Sequence, residues 1–296
     1  MTIRHLRIFV AVCREASITN AAEKMYMTQP AVSLAIKELE ENYGVKLFDR
    51  LTRRIQITQD GKRLLEYALH MVGLFDEMEQ AMRNPDAAGE LKIGSSLTIG
   101  ACLLPAYTQR LTRRHPNITP KVVVDNSDSI IKAVAEGRID LGLVEGSVSD
   151  ESLCARAFME DALVAVCARQ HPFAQRDAVS MDEFLAEPLL LREHGSGGRE
   201  LFESMVTLLG KQANPLWESV STTALIRAVE AGNGVAVLPQ RLVGEYIQAG
   251  RIRKAPLEGP MLSRWFYLIY HKKKYLSESI RSFVDIVMED AAQGRE

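Results

Sequence analysis

At 296 residues, with 47% hydrophobic and 25% charged residues, the chain has the composition of an ordinary globular protein, and its length asks for more than one compact unit. Every apolar run is interrupted by Arg, Glu, Lys or His before it reaches the ~20 residues needed to cross a bilayer, which excludes a membrane-spanning reading. Net charge is −2, yet residues 1–63 hold eleven Lys and Arg against seven Asp and Glu, an asymmetry that suggests a polyanion partner for one end.

The apolar stretch Ile8-Phe9-Val10-Ala11-Val12-Cys13 is closed by Arg14 and Glu15 before any small-residue cleavage site, so it reads as a helix and not as a signal peptide. A cytoplasmic protein is expected. Cys13, Cys102, Cys154 and Cys167 lie far apart and lack the C-x-x-C spacing of a zinc or dithiol site. Reduced, buried thiols are the first expectation and a redox switch the second, and no metal or cofactor is expected.

In chain order, Leu6, Phe9, Val10 and Cys13 recur at helical spacing as far as Ala16-Ser17. Thr19 can cap a short second helix over 20–25, where Ala21-Ala22 permits close approach of a neighbour. After the turn Tyr26-Met27, Thr28 is an N-cap candidate, and Pro30 falls in the first turn of a third helix, where its missing N–H costs little. Two short helices so joined make a helix-turn-helix. On the third helix Val32, Ile36, Leu39 and Tyr43 form one expected buried stripe, while Gln29, Ser33 and Lys37 fall on another face. In an isolated helix such a face is usually just solvated. Within this pattern its side chains would reach base edges, Gln reading adenine and Ser serving a base or a phosphate.

Residues 47–51 and 54–58 alternate as two short strands around Thr52-Arg53, a wing whose Arg50, Arg53 and Arg54 are placed to neutralise phosphates. A long helix then runs from Thr58 to Asn84-Pro85, ~40 Å at 1.5 Å per residue. Its Leu64, Ala68, Met71, Phe75, Met78 and Met82 are spaced as a heptad seam. Ordinary packing also produces short seams, but a helix that leaves a small head and enters the loop 85–89 has few other surfaces to cover it. Dimerisation is the expectation, pairing two heads on a pseudo-palindromic site.

From Leu91 onward strands and helices alternate: a strand over 91–94, a helix ending near Arg113-Arg114, a strand over 121–124, a helix over 129–136 and a strand over 139–144. A second series has strands over 162–168, 189–192, 217–220 and 235–238 with helices over 198–209 and 223–231, before a final strand over 265–270 and a helix over 277–289. This predicts an α/β region with a largely parallel sheet. Ligands gather where strands end and helices begin, because free N–H groups and positive dipole ends collect there. The residues at such places are Ser95, Ser96 and Thr98, then Asn126 with Ser127, Glu145, Ser196 within Gly195-Ser196-Gly197, and Thr222-Thr223. One hydroxyl so placed is more often a helix cap, whereas several together argue for a polar pocket. No catalytic constellation emerges: Ser196 lies outside a G-x-S-x-G elbow, His171 and His194 have no triad spacing, and the Gly run lacks the Lys-Ser/Thr of a P-loop.

The ordered set Leu6-x-x-Phe9, Ser17-x-x-x-Ala21-Ala22, Thr28-Gln29-Pro30-Ala31-Val32-Ser33, Ile36-x-x-Leu39-Glu40, Gly44-x-x-Leu47-Phe48-x-Arg50 and Thr58-x-x-Gly61 resembles the N-terminal signature of LysR-type transcriptional regulators. The resemblance implies that Gln29, Pro30, Ser33, Lys37 and the wing arginines lie at the DNA, with Thr28 at the head of the same helix. Ile18 and Met25 stand where Phe and Leu are commoner, and Leu34 replaces a frequently polar residue. For the C-terminal part the resemblance implies two Rossmann-like lobes, similar to periplasmic solute-binding proteins, joined by two crossover strands with a small anionic effector between them. Val124-Asp125-Asn126-Ser127, Val144-Glu145-Gly146 and the run from Arg192 to Arg199 resemble a subgroup linked to sulfur and carbon dioxide assimilation, and Arg199 joins the effector candidates. Gly198 stands where Thr is common in that run.

The expected organisation is a winged helix-turn-helix over 1–58, a linker and dimerisation helix over 59–84, a hinge over 85–90 and an effector domain over 91–296. Lobe one comprises 91–161 and 268–296, and lobe two 162–267. Expected partners are double-stranded DNA, a small-molecule effector, further copies of the chain as homodimer or homotetramer, and RNA polymerase. A transport protein would explain the lobes but not the basic helix-turn-helix. A regulator that senses oxidants through its cysteines is the alternative.

Overall fold

The computed structural model describes residues 1–51, 54–83, 89–259 and 262–293, with the side chains at 50–51, 54, 77, 80–83 and 292–293 outside the description. The chain divides into two compact units, one of Met1–Gly89 with Lys272–Ser277, the other of Glu90–His271 with Glu278–Glu296. Among the described residues no helix is long and apolar enough to cross a membrane.

The first unit contains α1 (Ile3–Glu15), α2 (Ile18–Lys24), α3 (Gln29–Tyr43), β1 (Phe48–Leu51), β2 (Arg54–Ile57) and α4 (Gln59–Arg83). Helix α1 stops because Ala16 turns left-handed, at φ 47°. That frees Ser17 to extend and cap α2, its Oγ accepting from Asn20 N at 3.2 Å. The second helix therefore begins at Ile18 and not at 20, with Thr19 inside its first turn. Leu6, Phe9 and Val12 of α1, Ala21 and Ala22 of α2, and Val32, Ile36 and Leu39 of α3 share one core. Tyr43, expected in that stripe, is 44% exposed; Leu47 closes the core at that end, and the Tyr43 hydroxyl donates to the Met1 sulfur.

A clasp of polar contacts joins α3, the hairpin and α4. The chain reverses at Gly44 (φ 68°), and the Glu40 carboxylate accepts from Leu47 N at 2.9 Å and Lys46 Nζ at 2.7 Å. Thr58 Oγ1 donates to Lys46 O at 2.7 Å and accepts from Gly61 N at 2.9 Å, which caps α4 and anchors it to the hairpin base. A Cβ at Gly61 would stand 2.3 Å from Leu47 O, so only glycine fits. Strands β1 and β2 pair antiparallel from Phe48↔Ile57 to Leu51↔Arg54.

The expected heptad seam divides. Leu64 and Ala68 pack into the head's own core, and Phe75 lies under the Arg7 guanidinium, 5.4 Å from the ring centroid, while Arg7 pairs with Asp76 and Glu79. Helix α1 thus covers the face to which those three belong. The apolar stripe left exposed on α4 is Tyr67, Met71, Leu74 and Met78, again at heptad spacing, and Met82 lies outside the described side chains.

The second unit opens with β3 (Glu90–Ser95), α5 (Leu97–Cys102), α6 (Leu104–Arg114), β4 (Thr119–Val124), α7 (Ser127–Ala135) and β5 (Leu141–Glu145). The single helix expected up to Arg114 is two, because Pro105 sits in the first turn of α6, where a missing N–H restarts a helix. Then come β6 (Leu153–Ala168), a 3-10 turn (Pro172–Gln175), α8 (Met181–Ala186), β7 (Leu189–Arg192), α9 (Gly197–Leu208), β8 (Pro215–Ser219), α10 (Thr222–Glu230), β9 (Ala236–Pro239), α11 (Gln240–Gln248), β10 (Ile252–Lys254), β11 (Leu262–His271) and α12 (Glu278–Gln293).

Strands β4-β3-β5 pair parallel, as do β7 and β8, but β11 runs antiparallel to both β5 and β6, and β6 antiparallel to β9 and β10. The expectation of a largely parallel sheet is corrected to parallel pairs within each lobe, linked by antiparallel crossover strands. One core gathers Ile130, Val134, Val144, Leu153 and Ile269. Two further clusters, around Leu163, Phe184 and Phe202 and around Val166, Ile226 and Leu238, build the other lobe. Strand β6 enters the first core at Leu153 and the second at Leu163, so it serves both lobes.

Candidate functional site

On the head, the surface left open by the core is the polar face of α3. Thr28, Gln29, Pro30 and Lys37 are exposed and Ser33 is half-buried. Gln29 Nε2 donates to Ser33 Oγ at 3.5 Å, and Lys37 pairs with Glu41 at 3.4 Å, exposed contacts weak enough for a partner to displace. Thr28 makes no side-chain cap bond, so its hydroxyl is uncommitted to the helix. Leu34 is 56% exposed among these polar groups. The hairpin sets Arg50 opposite Ile55 and Arg54 opposite Leu51, while the Arg50 and Arg54 side chains and all of Arg53 lie outside the described residues. A polar helix face beside a hairpin rich in arginine can approach a nucleic-acid groove and its phosphates.

In the second unit the ends of β3 and β5 and the start of α9 converge on one buried place. Ser95, Ser96 and Thr98 are fully buried, and Glu145 is 4% exposed. Between them lies Arg264 of β11, directly across the ladder from Asp161 of β6. Arg264 donates to Asp161 Oδ2 from Nε at 3.2 Å and from Nη2 at 3.0 Å, and Nη2 also reaches Thr98 Oγ1 at 3.2 Å. The same Nη2 stands 2.7 Å from Glu145 Oε2 in a charge contact off hydrogen-bond alignment. Two buried carboxylates therefore share one guanidinium. Arg241 adds a second cation at the edge, 3.5 Å from Asp161 Oδ1.

Burial pushes the Glu145 carboxyl above the ordinary carboxylate range against the pull of Arg264, and does the same to Asp161. Two donors at this place, Arg264 Nη1 and Ser96 Oγ, are buried without a hydrogen-bond partner. Glycines bring the lobes together around it. A Cβ at Gly197 would stand 2.3 Å from Glu145 O, and one at Gly198 2.9 Å from Arg264 Nη1. Gly195 (φ 83°) accepts from Asp128 N at 3.4 Å across the cleft mouth. The absence of Thr at position 198 thus makes room for the guanidinium.

The remaining candidates are placed differently. Asn126 serves as a helix cap, its Oδ1 accepting from Ser129 N at 2.9 Å. Ser196 is buried at the N-cap of α9 and makes no side-chain cap bond. Arg199 is committed within lobe two, to Glu203 at 2.8 Å, Glu218 at 2.5 Å and the Arg192 carbonyl at 2.7 Å. Thr222 Oγ1 accepts from buried Arg192 at 3.1 Å, whereas Thr223 is exposed. Ser127, expected beside Asn126, donates from Oγ to Glu145 O at 3.0 Å, whereas Asp161 and Arg264 were not singled out by pattern. The signal available for these two was a charged residue immediately before an apolar run, Asp161 ahead of 162–168 and Arg264 ahead of 265–270.

The four cysteines are free. Burial pushes Cys13 up to about 12 and Cys167 to about 11, and raises Cys102 as well. The Cys13, Cys102 and Cys167 thiols are thereby disfavoured as thiolates, which gives the redox alternative no support at these three positions.

Comparison with known proteins joins the two units. Residues 3–62 match the bacterial regulatory helix-turn-helix protein, lysR family, and residues 85–292 match the LysR substrate binding domain. An uncharacterized HTH-type transcriptional regulator of Escherichia coli, YeiE, is 32% identical over 285 residues, covering 96% of each chain. The RuBisCO operon transcriptional regulator of Allochromatium vinosum is 28% identical over 295 residues, covering 99% of this chain and 97% of that one. The regulatory domain of CcmR from Synechocystis, solved in complex with 2-PG, gives a TM-score of 0.63 at 22% identity, covering 68% of this chain and 96% of that one.

Proposed function

We propose, for a chain that belongs to the LysR family of transcriptional regulators, that α3 reads an operator in the major groove and that a small anionic effector held between the lobes alters this binding. Gln29, Ser33 and Lys37 face the bases, Thr28 and Pro30 lie at the head of the helix, and Arg50, Arg53 and Arg54 grip the phosphates. The observation that carries the reading is the division of α3: Val32, Ile36 and Leu39 pin it in the core, and the polar residues are left on the open face beside the hairpin. Two copies meet through Tyr67, Met71, Leu74 and Met78 of α4, so that paired heads address two half-sites. The effector's negative groups are received by Ser96 and Arg264, the buried donors that lack partners, among Ser95, Thr98 and Glu145. Its arrival re-spaces the heads and changes DNA bending or contact with RNA polymerase, in the cytoplasm.

Anisotropy titrations of promoter fragments with the full chain, across a salt series, test the reading. Gln29→Ala is expected to cost about 1–3 kcal/mol and to relax preference at one base pair. Lys37→Ala lowers the salt slope by about 1 if it meets a phosphate. Retention that is insensitive to salt, or unchanged in both variants, overturns the assignment. For the effector, small anions such as phosphate and acetate should raise the melting temperature of the full chain and not that of Ser96→Ala.

A further inference from the structure

A cavity that shares Asp161 with the cleft lies between the middle of β6 and one face of α11. It is open to solvent, has a volume of about 460 Å³, and is lined by Glu160, Asp161, Gln240, Arg241, Gly244 and Glu245, among others. Three features set it apart from an ordinary surface hollow. Its floor is Asp161, a side chain 1% exposed, whose Oδ1 accepts no hydrogen bond although Oδ2 takes two from Arg264. A buried carboxylate oxygen without a donor is costly, and such atoms in native proteins call for a reason. Next, Gly244 stands inside helix α11, where glycine is destabilising relative to alanine. Neither backbone conformation nor crowding requires it, since no atom lies within 4 Å of the Cβ it lacks. What the missing side chain preserves is the open volume of the cavity. Finally, the three carboxylates Glu160, Asp161 and Glu245 outnumber the two guanidiniums beside them, Arg241 in the lining and Arg264 on Asp161, so the lining favours a positive occupant.

We propose that this cavity is a binding site for a small organic cation carrying an ammonium or guanidinium group, which donates to Asp161 Oδ1. Arg241, 39% exposed with its Nε 3.5 Å from that oxygen, is a weak internal substitute that the ligand displaces. Asp161 is shared with Arg264, so occupancy here is felt in the cleft, and by linkage a cleft ligand changes affinity here by the same factor.

Calorimetric titration of the full chain with agmatine and with 1,4-diaminobutane, at constant ionic strength, tests the site. The expected result is saturable binding of one molecule per chain. Gly244→Leu fills the cavity from a position with free space and should weaken binding by roughly tenfold or more while leaving the melting temperature at or above that of the parent. Arg241→Gln removes the competing cation and should tighten binding roughly fivefold, whereas it would weaken an anion bound at the same place. Heats that fail to saturate, equal affinity in Gly244→Leu, or weaker binding in Arg241→Gln overturns the proposal. The titration involves no DNA, so its failure leaves the regulator reading standing, and loss of operator retention leaves this site standing.

Discussion

Arg264→Met isolates what the shared guanidinium contributes. The methionine keeps much of the side chain's length and none of its charge, leaving Glu145 and Asp161 facing each other, both buried, with Arg241 at the edge. Breaking a buried ion pair by removing one partner costs ~3–5 kcal/mol, because the remaining charge has lost its compensation. In a unit of this size that corresponds to a fall of roughly 6–20 °C in melting temperature. The cost must also depend on pH. Without Arg264 the folded state takes up protons on these carboxyls more readily than the unfolded chain does, so stability falls as pH rises and recovers as pH is lowered. Scanning calorimetry of parent and variant at pH 7.5 and pH 5.5 should show the gap between them narrowing at the lower pH, and Asp161→Asn added to Arg264→Met should regain part of the loss at neutral pH. A cost under ~1 kcal/mol, or one that is the same at both pH values, refutes the placement of two charged carboxylates around one cation.

Gly197→Ala places a methyl 2.3 Å from the Glu145 carbonyl oxygen, backbone against backbone, and should cost ~1–3 kcal/mol in the second unit, read by the same calorimetry. Met71→Glu with Leu74→Glu should dissociate the proposed dimer in sedimentation without unfolding the head, while Leu64→Glu should unfold the head, because Leu64 packs on its core. In the parent, Glu145 and Asp161 are raised by burial, so their part of the stability grows as pH falls from neutral through the raised values. Glu183 has the opposite sign: Arg176 and Ser180 hold it down at about 2, so its contribution is present above the ordinary carboxylate range and lost in strong acid, and denaturation curves across pH should show both limbs. Ser17→Ala should cost about 1 kcal/mol of head stability, and Thr19→Ala less, if Ser17 is the cap of α2.

The head is legible in the sequence because its motif residues are themselves the contacts: Glu40, Leu47, Thr58 and Gly61 form the clasp that fixes α3 against the hairpin. The long helix is half legible. Heptad spacing reports that apolar residues recur along α4, but not which of two adjacent stripes α1 has already covered, and Arg7 over Phe75 decided that. Caps misled where two hydroxyls competed, since Ser17 and Thr19 are equivalent to a pattern and only the left-handed Ala16 distinguishes them. The cleft was legible at strand ends, in Ser95, Ser96, Thr98 and Glu145, and illegible at its centre. Reading strands as apolar runs starts them at 162 and 265, each just past a charge that the fold buries, and Asp161 and Arg264 were lost at those edges.

Stability alone does not account for that charged centre. Apolar residues of similar volume in place of a buried ion pair are often neutral or stabilising, so a triad of charges must supply something an apolar core would not. Its position indicates what. Asp161 and Arg264 face each other across β6 and β11, the strands that run through both lobes, while Glu145 arrives from the end of β5 and Gly198 from the start of α9. The desolvation of Glu145 and of Arg264 Nη1 therefore depends on how closely α9 approaches β5. Opening the lobes admits water to both groups and relieves the cost, and closing them restores it unless an anion meets the unpartnered donors. On the proposed reading, the cleft would have two arrangements close in free energy, and a small ligand that binds one of them better would shift the balance by its differential affinity. An apolar centre would hold the lobes together whether or not a ligand was present, and the domain would then have no means of reporting one.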